Sequence, residues 1–256
     1  MSSNMVKLTA IPDIPLVKPD DDLAATLINT LDQAGIEPGK QDVLVVAQKI
    51  VSKAEGQYVN LEAVSPSKRA FSLAHAVDKD PRLVEVILSE SDEVIRYKPG
   101  VLIVAHRLGL VLANAGIDRS NLDPELKGEQ VLLLPKDPDA SAAALKARLD
   151  GHYGVEFGVV ISDSVGRAWR NGTIGTALGS AGLPALRNLI GQLDLCGKLL
   201  EVTQTGFADE LASAASLLMG QADESLPAVL VHGLTWESPE LSAKSLQRPK
   251  EEDLFR

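Results

Sequence analysis

The sequence predicts an α+β fold, with mixed sheets, meanders and covering helices in a two-lobed subunit. One observation is the continuous apolar run Val43–Ala47, whose length and composition indicate a strand covered on both faces. A second is the set of short β-branched and Leu-rich runs between residues 93 and 116, whose Pro-Gly and Leu-Gly separators favour an antiparallel meander. Helical segments alternate with these runs in a mixed order, which is more typical of α+β than of a doubly wound sheet.

The N-terminal half begins with a predicted helix in "PDDDLAATLINTLDQAG", which has an Asp-rich start, apolar residues at helical spacing and a stop at Gly35. The segment after the first strand contains Lys49 and Lys53, and its polarity predicts a loop or a solvated turn. Residues 65–91 predict two helices, the second of which begins at Pro81, because proline is favoured at the first helical position.

The C-terminal half alternates predicted strands and helices. The predicted strands are "QVLLLP", "FGVVISDS", "KLLEVTQ" and "PAVLVHGL", and the second is expected to end at its carboxylate. The predicted helices are "DPDASAAALKARLDGHYG" and "FADELASAASLLMGQA". We expect one domain over residues 1–236, with about residues 60–200 inserted in the rest. A polar tail at 237–256 is expected to be partly disordered or to lie across a partner.

Composition excludes several classes of protein. The net charge of −10 argues against a nucleic-acid partner, because phosphate backbones require clustered Lys and Arg. Cys196 is the single cysteine, so neither an intrachain disulfide nor a cysteine metal cluster is expected, which favours a reducing, cytoplasmic setting. The N-terminus lacks signal-peptide features, and the apolar runs are shorter than the roughly 20 residues of a membrane helix. We therefore expect no membrane association.

Two predicted strands are followed by carboxylates. Asp163 and Ser164 stand in "ISDS", with Arg167 and Arg170 shortly after, and Asp118 stands in "ANAGID". Because Mg²⁺ prefers oxygen ligands and arginine binds phosphate in a bidentate manner, the two strand ends predict a shared metal and phosphate site. An alternative stays open, in which the Asp and Ser residues cap turns and the two arginines are ordinary surface charges.

Two further polar groups follow predicted strands. Gln48, Lys49 and Lys53 follow the first strand, where a solvated turn is the alternative to a ligand site. Thr203, Gln204 and Thr205 precede a helix, where an ordinary N-cap is the alternative to an anion site. The sequence contains no Walker motif, HExxH or nucleophile elbow, so metal chemistry with oxygen ligands is the leading hypothesis and no general base is predicted.

Six blocks of the sequence resemble the coenzyme F420-0:L-glutamate ligase family, in order from about Ile14 to Gly233. The blocks are "AQKIVSKAEG", "KDPRLVEVILSES", "ANAGIDRSN", "LLLPKDPDASA", "ISDSVGRAWRNG" and "VTQTGFADELASAASLLMGQA". The resemblance implies that GTP phosphorylates the terminal carboxylate of F420-0 and that the amine of L-glutamate attacks the acyl phosphate. It also implies two divalent metals (Mg²⁺ or Mn²⁺), a monovalent cation (K⁺), a homodimer and further γ-linked glutamates.

The resemblance also implies the residues of the site. Asp118 and Asp163 resemble the ligands of one metal, and Ser164 and Gln204 those of a second. The residues that resemble nucleotide contacts are Ile14, Pro15, Leu16, Val17, Gln48, Lys49, Lys53, Asn121, Val202, Thr203, Gln204, Thr205, Gly206, Phe207, Ala208 and Asp209.

The sequence departs from the family pattern at a few positions. Ser164 replaces the usual threonine and keeps the hydroxyl. Asn188 and Ile190 replace charged residues, and Ala105–Arg107 lacks a common acidic one. The changes at Asn188 and Ile190 leave open a metal- and nucleotide-dependent ligase or phosphotransferase with another carboxylate acceptor. A separate alternative is a non-catalytic nucleotide-binding dimer, which requires a broken site although Asp118 and Asp163 are both present.

Overall fold

The computed structural model describes residues 5–122 and 125–254. The helices are α1 (Leu23–Ala34), α2 (Gln48–Ala54), α3 (Lys68–Val77), α4 (Pro81–Ser89), α5 (Pro138–Tyr153) and α6 (Phe207–Met219). The strands are β1 (Lys7–Ala10), β2 (Val43–Ala47), β3 (Tyr58–Asn60), β4 (Ser91–Lys98), β5 (Val101–His106), β6 (Val111–Ala113), β7 (Gln130–Leu132), β8 (Gly158–Gly166), β9 (Thr173–Ala181), β10 (Arg187–Asn188), β11 (Gln204–Thr205) and β12 (Ala228–His232). Within the described ranges, no helix has the length and apolar character needed to cross a membrane.

Helix boundaries follow the capping residues that the sequence predicts. The Asp22 carboxylate accepts a hydrogen bond from the Ala25 amide at 3.0 Å, and α1 ends at Gly35 in the left-handed conformation (φ +63°). The Asp80 carboxylate accepts from the Arg82 amide at 2.8 Å, with Pro81 in the first turn of α4. The predictions for α1 and α4 are confirmed.

The largest sheet is mixed, in the order β1-β12-β2-β8-β9. β2 pairs in parallel with β8, whereas β1, β12 and β9 pair with their neighbours in the antiparallel sense. Leu44 and Val46 pack on one face with α1 and α5, whereas Val43 and Val45 pack on the other with α6. Strand geometry sends successive side chains to opposite faces, so β2 is apolar throughout because both faces are covered. The predicted α+β class is confirmed.

A second core lies between residues 61 and 131. Helices α3 and α4 pack on the antiparallel meander β4-β5-β6 and on the β3-β7 pair, with Leu61, Val84, Ile87 and Leu102 fully buried. The predicted meander is therefore confirmed. The expected inserted domain of about residues 60–200 stays a prediction, but that range also includes β8 and β9, which belong to the large sheet.

Three local predictions are wrong. The polar segment after β2 is helix α2, because Ile50 and Val51 are buried against the main core. β8 does not end at Asp163 but continues to Gly166, paired with β9, which was not predicted. The strand predicted in "KLLEVTQ" is absent from the described residues, where Leu199 forms one bridge with Leu193 and β11 has two residues.

Part of the C-terminal tail packs on its own chain, and the expectation that the tail lies across a partner stays a prediction. The Leu241 amide donates to the Leu183 carbonyl at 3.1 Å, and Ala243 is buried. The Asp139 carboxylate of α5 accepts from the Ala243 amide and from the Ser180 amide of β9, both at 2.9 Å. The half-buried Asp139 carboxylate thus connects helix, sheet and tail; residues 255–256 of the predicted tail lie outside the described residues.

Candidate functional site

A cleft of about 750 Å³ opens where the chain leaves β2. It is lined by residues 14–17, the start of α2, residues 118 and 120–122, Ser162–Ser164 of β8, Gly175 of β9 and much of residues 216–227. The volume lies in the range of about 300–1,000 Å³ that is usual for small-molecule sites. The cleft therefore gathers most of the candidate residues into one place.

Strand lengths explain why Asp163 reaches this cleft. β2 ends at Ala47, which pairs with Ser162, and β8 continues beyond that point. A register shift between Ile161 and Ser162 lies immediately before Asp163. In α/β sheets, ligands bind outside the carboxyl ends of the strands, and Asp163 occupies that position relative to the parallel pair.

Asp118 is held by a tight turn after β6. Asn114 and Ala115 adopt left-handed conformations (φ +52° and +55°), and Gly116 follows at +66°. A Cβ atom on Gly116 would lie 3.0 Å from the Leu134 side chain, so glycine suits this turn in both space and conformation. The Asp118 amide and carbonyl both bond to the Leu132 backbone at 2.9 Å, which fixes the direction of the carboxylate.

The Asp118 carboxylate is bound by a lysine and a serine. Lys49 Nζ lies 2.7 Å from Asp118 Oδ2, and the Ser120 amide and hydroxyl donate to Asp118 Oδ1 at 2.7 and 2.8 Å. Burial alone would raise the pKa of Asp118, but the Lys49 ammonium and the Ser120 donors outweigh it and hold the pKa below its usual value. Asp118 is therefore ionised at neutral pH.

Asp163 has the opposite electrostatic surroundings. Burial, reinforced by the negative charge of Asp118, raises the pKa of Asp163, although the Ser164 amide donates to Asp163 Oδ1 at 2.8 Å. Two carboxylates thus face one cleft, and the charge of one opposes the ionisation of the other. A divalent cation would remove that opposition.

The donor atoms in the cleft suit a hard metal ion that takes only a few of its ligands from the protein. Asp118, Asp163 and the Ser164 hydroxyl offer oxygen ligands, which Mg²⁺ and Mn²⁺ prefer. In the described parts of the chain, no group of three or more His, Cys, Asp or Glu residues could hold a metal. A metal here would therefore complete its shell with water and substrate phosphate, as Mg²⁺ commonly does.

Two buried polar side chains of α2 complete this side of the cleft. Lys53 is 4% exposed, and its Nζ donates to the Asn121 carbonyl at 2.6 Å. Gln48 is 3% exposed, and its amide oxygen accepts from the Ser52 hydroxyl at 2.9 Å. Burying such groups costs free energy unless they are hydrogen bonded. Their burial beside the cleft therefore supports a role for both side chains in the site.

The candidate segment Val202–Asp209 does not line this cleft. Val202 is 84% exposed, and Gln204 lies in β11, which pairs with Asn188. Phe207 and Ala208 are buried in the core that covers the other face of the sheet. Asp209 accepts from the Ala177 amide at 2.8 Å beside a separate cavity of about 350 Å³. Within one chain, Gln204 is therefore not brought to the carboxylates.

Comparison with known proteins identifies the family. A sequence profile described as F420-0:Gamma-glutamyl ligase matches residues 12–233. The chain belongs to the F420-0:gamma-glutamyl ligase family. This confirms the resemblance predicted from the sequence blocks, which extends over the cleft and both cores.

Relatives of this family cover nearly the whole chain. The coenzyme F420:L-glutamate ligase of Methanothermobacter thermautotrophicus is 44% identical over 253 residues, which is 98% of this chain and 99% of that protein. The protein of the same name from Methanopyrus kandleri is 43% identical over 256 residues, covering 96% and 97%. That of Archaeoglobus fulgidus is 40% identical over 251 residues, covering 98% and 96%.

One wall of the cleft in this family member is not predicted by the sequence. The segment after α6 lines the cleft, and the Gln221 amide donates to the Ser164 hydroxyl at 2.8 Å. The Ala222 amide donates to the Glu224 carboxylate at 2.8 Å and lowers the pKa of Glu224. The local signal was a polar run after Gly220, which by itself indicates only a helix end.

Proposed function

We propose that this ligase uses GTP to form an amide bond between the terminal carboxylate of coenzyme F420-0 and L-glutamate. The observation that supports the proposal most directly is the meeting of Asp118, Asp163 and Lys49 in one cleft. The names of the relatives support the substrates F420 and L-glutamate. GTP as the second substrate rests on the family resemblance and on a cleft with cationic and carboxylate side chains together.

In the proposed reaction, a carboxylate oxygen of F420-0 attacks the γ-phosphorus of GTP, and GDP leaves. The amine nitrogen of L-glutamate then attacks the carbonyl carbon of the acyl phosphate, inorganic phosphate leaves, and the nitrogen loses a proton. Further γ-linked glutamates would be added by the same two steps. Positioning and neutralisation of charge contribute most of the catalysis in phosphoryl transfer, so the protein needs no covalent nucleophile.

Most of the candidate residues that line the cleft have a physical role in this scheme. Asp118, Asp163 and Ser164 would hold Mg²⁺ or Mn²⁺, which supplies Lewis-acid neutralisation of phosphate charge. Lys49 and Lys53 would stabilise the phosphates, and residues 14–17, which line the same cleft, would contact the nucleotide. Asn121 would orient the nucleotide through the turn that Lys53 contacts. A K⁺ requirement rests on the resemblance alone, and comparing activity in KCl and NaCl tests it.

We further propose that the working form is a cytoplasmic homodimer. The segment between β10 and β11, here called the arm (residues 189–203), exposes large apolar side chains. These are Ile190 at 48%, Leu193 at 66%, Leu195 at 107%, Leu199 at 63% and Val202 at 84%. Contiguous exposed apolar surface is typical of protein interfaces. A second copy that accepts the arm would explain why the candidates Val202–Thr205 do not meet the cleft of their own chain.

Product analysis tests the ligase activity. Purified protein incubated with GTP, Mn²⁺, L-glutamate and F420-0 should yield F420-0 with one or more added glutamates, detected by mass spectrometry, together with GDP. Asp163→Asn should yield neither. GDP release from other carboxylates in place of F420-0 would instead support the alternative acceptor. Absence of product beside an active relative would refute the proposal.

A further inference from the structure

Lys49 occupies the place at which a cation would neutralise Asp118. Its Nζ atom lies 2.7 Å from Asp118 Oδ2, 3.0 Å from the Ser120 hydroxyl oxygen and 3.3 Å from the Ser120 carbonyl oxygen. These three acceptors belong to the segment that lines the cleft. The chain therefore supplies its own cation to a set of oxygens of the kind that a hard metal ion prefers.

The surroundings make this cation necessary in the absence of ligands. Asp118 and Asp163 face the same cleft, and the side chains of Lys49 and Asp118 are each only 24% exposed. Two carboxylates in a partly desolvated space repel each other unless a positive charge lies beside them. Lys49 supplies this positive charge by pairing with Asp118. Its long, flexible side chain allows the ammonium to move away from Asp118.

We propose that Lys49 is an internal counter-ion that takes the metal's place in the nucleotide-free protein and moves to the phosphates when GTP and a divalent metal bind together. The inference rests on the proposed function, because it needs both a metal and a nucleotide in this cleft. Asp118 would then exchange an ammonium for the metal, while Lys49 would exchange a carboxylate for a phosphate. Neither exchange leaves a charge unpaired.

This exchange makes metal and nucleotide binding interdependent. A metal that arrives alone must displace Lys49 from Asp118 with no new partner for the ammonium, so its affinity is reduced. A nucleotide offers that partner, so each ligand strengthens the binding of the other by the same factor. Coupling between two sites is commonly about 5- to 150-fold in affinity, and we expect about tenfold here.

Mn²⁺ binding, followed by the electron paramagnetic resonance signal of the free ion, tests the proposal. Titrations compare wild type, Lys49→Met, Lys49→Arg and Lys53→Met, each with and without GDP. Lys53→Met is the matched control, because it removes the same charge from the same cleft at a side chain that donates to the Asn121 carbonyl. Asp118→Asn shows whether the bound ion uses this carboxylate.

Without GDP, Lys49→Met should bind Mn²⁺ about tenfold more tightly than wild type, and GDP should add little further affinity. Lys49→Arg and Lys53→Met should not show that gain. The proposal is overturned if Lys49→Met binds Mn²⁺ no more tightly than wild type, or if Lys53→Met gains equally. If wild type still forms glutamylated product in that case, only the exchange is refuted. If wild type neither binds Mn²⁺ with GDP nor forms product, the proposed function is refuted as well.

Discussion

Single charged residues decide the chemistry of the cleft. Asp118 is stabilised as an anion by Lys49 and Ser120, whereas desolvation and the charge of Asp118 raise the pKa of the half-buried Asp163. The two aspartates have the same side chain and line the same cleft, but their pKa values shift in opposite directions. Pairs of titratable groups with divergent pKa values are characteristic of functional sites.

Asp163→Asn should stabilise the ligand-free protein at neutral pH. Because the pKa of Asp163 is raised on folding, the folded state binds its proton more tightly than the unfolded state, and stability falls as pH rises through that pKa. The neutral amide removes this cost and can still accept the Ser164 amide hydrogen bond. We expect the melting temperature to rise by about 2–4 °C at pH 7, equivalent to about 1 kcal/mol.

The pH dependence separates this effect from ordinary repacking. The gain should be complete above the raised pKa of Asp163 and should disappear as pH falls below the pKa of an unfolded aspartate, about 3.9. Asp92→Asn, on an exposed aspartate of β4, is the control and should change stability by less than about 0.5 kcal/mol. A gain for Asp163→Asn that is independent of pH from 4 to 8 would contradict the burial argument.

The secondary-structure elements position these charges through close packing of β9 against two helices. An added Cβ atom at Gly175 would lie 2.1 Å from the Ala212 carbonyl oxygen of α6, and one at Gly179 would lie 2.2 Å from the Pro138 backbone of α5. Glycine at these places lets both helices approach the sheet. β9 was not predicted because glycine is depleted in strands. In this strand, close packing of the helices requires residues that have no side chain.

Gly175→Ala should destabilise the protein by about 1–3 kcal/mol, because the methyl group must push α6 away from β9. Urea unfolding monitored by circular dichroism measures the change. Gly166→Ala is the matched control at the end of the paired strand β8, where an added Cβ atom has nothing within 4 Å. Equal stability of the two variants would show that α6 yields to the methyl group without cost.

At the scale of the whole molecule, the tail and the arm behave in opposite ways. The tail is held on its own chain by Asp139 and by the Leu241 backbone, whereas the arm carries exposed apolar residues. The arm is nevertheless ordered by its own bonds, since the Asp194 carboxylate accepts from the Cys196 and Lys198 amides at 2.8 Å. An ordered apolar projection suits an interface between two chains.

Leu195→Asp should convert the proposed dimer to a monomer and abolish ligase activity, because a carboxylate replaces an apolar contact in the interface. Light scattering after size-exclusion chromatography measures the mass. Leu217→Asp is the control, since Leu217 is a leucine of α6 that is 82% exposed and lies outside the arm. A wild-type monomer, or a dimeric and active Leu195→Asp variant, would contradict the dimer proposal.

The sequence by itself determined the α+β class, the capped helices α1, α4 and α5, the buried strand β2 and the family, because these depend on local periodicity, on caps and on ordered motifs. The sequence also predicted a site shared by Asp118 and Asp163, but tertiary structure alone decided that Lys49 pairs with Asp118 and that the wall after α6 lines the same cleft. It also decided that residues 48–54 form a helix and that Gln204 stands apart in the single chain. Pairing register, burial and charge proximity act between residues far apart in the chain, so no local pattern records them.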